Sequence, residues 1–92
     1  MELKYRNSFF RDLDNISNRE LSRNLENLII KIQEAHTIGS IPRLKKLKRT
    51  KAFEYKIELQ VQTKVYWILA DVYSEQLEFV RIKSEAWCKK NL

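Results

Sequence analysis

The chain has 92 residues, 18 Lys and Arg against 12 Asp and Glu, and a formal charge of +6. One glycine, one proline and an apolar share of 43% exclude disordered and fibrous classes and suit a single domain, 1–92, with a modest core. No apolar run nears the roughly 20 residues that span a bilayer, the first residues lack the apolar core of a secretory leader, and Cys88 has no second cysteine for a disulfide or a cysteine-based metal site. A cytoplasmic protein with no membrane association, no metal and no other cofactor is expected.

Leu3 and Tyr5 alternate with Glu2, Lys4 and Arg6, the period of a short strand. Asn7-Ser8 signals a helix start, with Phe9, Leu13 and Ile16 following at helical spacing. Ser17-Asn-Arg-Glu20 reads as a capping box for a second helix. Its stripe is Leu21, Leu25, Leu28, Ile32 and Ala35, and Gly39 and Pro42 end the helical half. His36 falls at the end of that helix, where a cap or dipole role is the default.

A β-rich half follows. Phe53, Tyr55, Ile57, Leu59 and Val61 alternate with polar residues, predicting a strand with one buried face. Gln62-Thr63-Lys64 is a turn, and Val65–Ala70 is apolar on both faces, as a central strand should be. Ser74-Glu75-Gln76 turns again, Leu77–Ile82 is a further strand, and Ser84–Lys90 suits a short helix. The order β-α-α-β-β-β-β(-α) predicts an α+β fold, a helical hairpin packed on one face of a twisted, mainly antiparallel sheet with the other face open.

Charge divides the chain in two. Residues 1–42 carry six basic and six acidic side chains, whereas residues 43–92 carry twelve basic against six acidic. Arg43, Lys45, Lys46, Lys48, Arg49 and Lys51 fall within nine residues with no acid among them, a field that attracts phosphate. Lys56, Glu58, Gln60 and Lys64 are expected on or near the open face. These charges favour a polyanionic partner, such as a bound phosphodiester chain, over a merely solvated face, and an acidic protein segment could dock on the same patch.

The ordered set Ile41-Pro-Arg-Leu-Lys-Lys-Leu-Lys48, Tyr55-Lys-Ile-Glu-Leu59, Val65-Tyr-Trp-Ile68 and Phe79-Val-Arg-Ile-Lys83 resembles the RelE/ParE superfamily of bacterial toxins. There a "KLKG" segment precedes a "YRIR" strand, a "YRI-aromatic" strand and a last strand ending in basic residues. The resemblance implies the toxin of a type II toxin–antitoxin pair, in hetero-oligomeric complex with an acidic, adjacently encoded antitoxin. Its RelE branch implies a metal-free endoribonuclease acting on ribosome-bound mRNA through 2′-hydroxyl attack. Lys48, Lys64 and Arg81 match positions that would stabilise charge on phosphorus, and Glu85 or Glu58 would take the proton, Glu85 being the catalytic candidate. Arg43, Lys45, Lys46, Arg49, Lys51, Lys56, Lys83, Lys89 and Lys90 would hold RNA or ribosome, and Trp87 would stack a base.

Two departures from the family pattern matter. Glu58 or Gln60 stands where active RNases of this family often place an arginine, and Trp87 is the nearest aromatic to their C-terminal tyrosine. The alternatives are a ParE-like, non-nucleolytic inhibitor of DNA gyrase, and a catalytically decayed RNA-binding homologue.

Overall fold

The alternating and helical stretches become five strands and three α-helices in the computed structural model, which describes residues 1–48 and 53–92. Arg49 and Lys51 of the basic run lie outside the described residues. In chain order the elements are β1 (Glu2–Tyr5), α1 (Asn7–Ile16), α2 (Arg19–Glu34), a 3-10 turn (Ile38–Ser40), β2 (Leu44–Lys46), β3 (Tyr55–Val61), β4 (Lys64–Tyr73), β5 (Gln76–Ser84) and α3 (Glu85–Asn91). This is the expected order, and β2 lies within the basic run. Among the described residues no helix is long and apolar enough to cross a membrane.

Local chemistry sets the helix ends, with two differences from the sequence expectation. Asn7 begins α1 but does not cap it; the N-cap is Arg6, which makes no side-chain cap. Ser17 belongs to the end of α1, in the left-handed region at φ 47°. Asn18 then caps α2, its Oδ1 accepting from the amides of Glu20 at 2.9 Å and Leu21 at 3.1 Å. The cap thus sits one residue later than the Ser17 reading, and with Leu21 at the third helical position it is a simple N-cap in place of the expected capping box. Ser84 caps α3 by accepting from the Trp87 amide at 3.1 Å.

The sheet order is β1-β5-β4-β3-β2, antiparallel except where β1 pairs parallel with β5. The doubly apolar β4 is therefore central, as its sequence requires. The α2 stripe, Leu21, Leu25, Leu28, Ile32 and Ala35, is buried in full against Ile57, Leu59, Ile68 and Ile82 of the sheet. Phe9 of α1 meets Phe79 of β5 with ring centroids 5.3 Å apart. Burying a large apolar side chain of this kind is worth about 1.5–3 kcal/mol, so these contacts fix which face the helices cover.

The opposite face is not left open. A second cluster of Trp67, Leu69 and Cys88 forms there, with Leu47, Phe53, Val65, Trp87 and Leu92 packed against it. The helix α3 folds back over β4 and β5 to make it. Phe53, expected to share the core with Ile57, lies before β3 and joins this second cluster instead.

Between Leu69 and Ala70 the β4–β5 register shifts: Leu69 opposes Arg81 and Ala70 opposes Phe79, which leaves Val80 as an extra residue on β5. This β-bulge reverses the parity of the strand. Leu77 and Phe79 face the helices before it, and Ile82 faces them after it. Arg81 and Lys83 are thereby turned away from the main core.

Both tight hairpins place a residue with a side chain where φ is positive: Gln62 at 57° between β3 and β4, and Ser74 at 54° between β4 and β5. Left-handed backbone disfavours such residues and suits glycine. Gln62→Gly and Ser74→Gly are each expected to stabilise the fold by roughly 0.5–1 kcal/mol. Thermal denaturation should show a Tm several degrees higher for each; an unchanged or lowered Tm would refute strain in these turns.

Candidate nucleic-acid interface

Strand register sets two rows of side chains on the face that α3 partly covers. Lys45, Lys56, Leu69 and Arg81 oppose one another across β2, β3, β4 and β5, and Glu58, Trp67 and Lys83 form the next row. With strands about 4.8 Å apart, Lys45 and Arg81 stand on the order of 14 Å from each other. The cations form two groups, one at each side of the α3 cluster.

The first group is built around Asp12 of α1. β1 ends its pairing with β5 at Phe79, where the Arg6 amide donates to the Phe79 carbonyl at 3.0 Å. Beyond that point α1 fills the strand's place with side chains. Ser8 Oγ donates to the Val80 carbonyl at 2.6 Å, and Asp12 Oδ2 accepts from the Ile82 amide at 3.2 Å. The same carboxylate takes a bidentate pair from Arg81, Nε to Oδ2 at 2.6 Å and Nη2 to Oδ1 at 3.0 Å, and Lys83 Nζ lies 3.1 Å from Oδ1.

Asp12 is the one buried charged residue among those described, 5% exposed. Burial pushes its carboxyl upward, yet the hydrogen bonds from Arg81, Lys83 and the Ile82 amide outweigh this and hold it below the ordinary value of 3.8. Asp12 in turn raises the pKa of Arg81. The guanidinium remains in reach of solvent, with 34% of its side chain exposed.

The second group centres on Trp67. Lys56 Nζ sits 3.5 Å from the centroid of the Trp67 ring and 2.8 Å from Glu58 Oε1. The Lys56 bond holds the Glu58 carboxyl below its usual range, with smaller help from Lys45 and Lys89. Trp67 Nε1 donates to Glu85 Oε2 at 3.2 Å, and Lys89 lies 3.4 Å from Glu85 Oε1 one helical turn on. On the buried side of α3, burial raises the Cys88 thiol to about 11, which leaves it a packing residue without thiolate character. A cleft of about 290 Å³, lined by Arg43, Lys45, Glu58, Gln60 and Val65, opens at the β2–β3 side of this face. Another cavity, about 820 Å³, is at the opposite end of β4, beside His36 and Glu75, away from these cations.

The structure brings together some of the sequence-predicted residues and separates others. Arg81, Lys83, Glu85, Trp87, Lys56 and Lys45 share the face covered by α3. Trp87 is half-buried with Lys83 Nζ 5.2 Å from its ring centroid, and Lys89 and Lys90 are exposed along α3. Lys46 opposes Tyr55 and so belongs to the other side of the sheet by register. Lys64 opposes core-facing Val61 at a hairpin tip, so register separates it from Arg81. Lys48 is exposed just past β2, and Arg43 is exposed in the turn before it at φ 61°. Asp12 was missed by sequence reasoning, although an acid on the apolar stripe of a helix, three residues after Phe9, was a usable signal. Trp67, within the stretch expected to be a central strand, is buried in β4 and floors this face as part of the second cluster.

No protein-family model and no curated protein matches the chain by sequence. Solved structures do match it. YafQ from E. coli strain BL21(DE3) aligns over 95% of this chain and 96% of its own, with a TM-score of 0.56 at 13% identity. HP0894, a conserved hypothetical protein from Helicobacter pylori, aligns over 94% of this chain and 96% of its own, with a TM-score of 0.53 at 16% identity. The shared feature is the fold, a RelE-like α+β arrangement of the kind the sequence motifs implied.

Because the folded-state pKa of Asp12 is lowered, its contribution to stability is complete above the unfolded value of about 3.9 and is lost as pH falls through the folded value. Denaturation followed from pH 6 down to 2 should show stability falling at the acid end, with a shallower fall in Asp12→Asn. Equal acid slopes in the two proteins would show that Asp12 is not held ionised by its partners.

Proposed function

We propose that this chain is a toxin of the RelE/ParE superfamily, of the RelE branch, which binds RNA on the α3-covered face and cleaves translated mRNA on the ribosome. The observation that carries this reading is the pair Arg81 and Lys83, turned out by the Val80 bulge beside Glu85 and Trp87. The fold shared with YafQ and HP0894, the charge of +6 and the ordered motifs support it. An acidic antitoxin encoded alongside would cover the same cations until released.

The chemistry needs a base, charge stabilisation and an acid. The ribose 2′-oxygen attacks the adjacent phosphorus, the new P–O2′ bond forms, and the bond to the 5′-oxygen breaks, giving a 2′,3′-cyclic phosphate and a 5′-hydroxyl. The 2′ proton goes to a carboxylate. Glu85 is the better candidate, because Glu58 is tied to Lys56 at 2.8 Å whereas Glu85 stands at the start of α3 between Lys83 and Trp87. Arg81 stabilises the phosphorane charge, and the Lys83 ammonium protonates the leaving oxygen and is restored from solvent. Lys45, Lys56, Lys89 and Lys90 hold flanking phosphates or ribosomal RNA.

A second reading is a ParE-like inhibitor of DNA gyrase without nuclease activity. It is favoured by the open-face positions of β3, which are Lys56, Glu58 and Gln60 with no arginine among them.

Induced expression in a bacterium, followed by mapping of transcript 5′ ends, separates the readings. Growth arrest with new ends inside translated codons supports the nuclease; arrest with intact transcripts and DNA breaks supports the gyrase inhibitor. No arrest rejects both. Arg81→Gln, whose amide still donates to Asp12, is expected to lower cleavage by about 100-fold or more while the protein stays folded. Undiminished cutting by that variant would remove Arg81 from the mechanism.

A further inference from the structure

Asp12 does more bonding than its structural place requires. The Ile82 amide at the bare edge of β5 needs one acceptor, which an uncharged amide or hydroxyl side chain supplies equally well. A buried charge is a weak route to stability, since desolvation offsets much of the attraction. What only a carboxylate provides is a fixed, shared counter-charge for two cations of like sign. Arg81 commits Nε and one Nη2 proton to Asp12, and among the described residues its Nη1 protons and the other Nη2 proton have no partner. Lys83 lies between Asp12 and the Trp87 ring, 25% exposed. One carboxylate against two cations leaves a net charge of +1 at the solvent side of the trio.

We infer that Asp12 is the positioning residue of a two-cation phosphate clamp. It orients the free edge of Arg81 and the Lys83 ammonium together and, by neutralising one of them, limits the clamp to a single phosphate. This rests on the reading of the face as an RNA site. Without the carboxylate the two cations repel each other, lose their common orientation and become available to two phosphates. Binding should then tighten while catalysis weakens, whereas damage to the fold weakens both.

The test is the salt dependence of binding to a 2′-O-methyl oligoribonucleotide, which cannot be cut, measured alongside cleavage of unmodified mRNA in a translating extract. For Asp12→Asn the slope of log K against log salt is expected to steepen by about 0.7, the single-strand value for one more phosphate. Cleavage is expected to fall about 10- to 100-fold. Asp12→Glu, which keeps the charge, should retain the wild-type slope. If Asp12→Asn does not fold, Arg81→Gln reads the same balance: with Lys83 the one cation left against Asp12, the slope should become shallower by about 0.7. A folded Asp12→Asn with wild-type slope and cleavage overturns the inference, as does an Arg81→Gln slope that does not move. Wild-type protein that fails to bind the oligoribonucleotide overturns both the inference and the RNA reading. Wild-type binding with the expected shifts, but no cut transcripts in cells, rejects the nuclease alone and leaves the clamp standing.

Discussion

Past Phe79 the edge of β5 has no strand beside it, and the cationic end of the sheet follows from how α1 fills that gap. Ser8 and Asp12 bond to the backbone of Val80 and Ile82 where a neighbouring strand would have done so. Unpaired backbone groups at a buried edge are costly, so these two side chains hold α1 against β5. The Val80 bulge lies within the same stretch and turns Arg81 and Lys83 to the face opposite the helices. Asp12 is thus at once an edge substitute, the anchor of a helix and the counter-ion of both cations. An ordinary hydrophobic contact between α1 and the sheet would have fixed the helix but left the cations unguided.

The second face shows how a small domain keeps a charged surface without losing its packing. Ninety-two residues allow little apolar surplus. Here α3 adds a second cluster over Trp67 and Leu69, and the charged groups are confined to its rim. Lys56 lies over the Trp67 ring, so its stem covers apolar surface while its ammonium meets Glu58. The indole edge is met by Glu85. Lys56 is paired with Glu58, Lys89 with Glu85, and Arg81 and Lys83 share Asp12, so most of the charge at the rim has an opposite partner.

The fold was legible because its signals were periodic. The α2 stripe at steps of four and three, the unbroken alternation through β3 and the doubly apolar β4 each specify an element and the face it buries. The site was less legible because it depends on a one-residue register change. From Leu77-Glu-Phe-Val-Arg-Ile-Lys-Ser84, plain alternation puts Arg81 on the same face as Leu77 and Phe79, under the helices. Only the apolar Ile82, out of phase with Phe79, hints at the bulge. Lys64 illustrates the opposite failure. Its place in the motif suggested the shared face, but the two-residue turn Gln62-Thr63 makes it the partner of Val61 and sets it on the other side. Phe53 was likewise assigned by alternation carried two residues beyond the strand's start.

Orientation and charge count also explain why Arg81 and Lys83 differ in what they can do although they share one carboxylate. Arg81 is held at two atoms, so its plane is fixed and its remaining donors form a fork of the shape a phosphate accepts. Lys83 is held at one atom, and its ammonium can rotate about its stem between Asp12, the Trp87 ring and an incoming oxygen. A fixed fork suits charge that develops at one place, and a mobile ammonium suits a proton delivered to an oxygen as it departs. The division of labour proposed for the two cations therefore follows from the geometry of one buried carboxylate rather than from their positions in a motif.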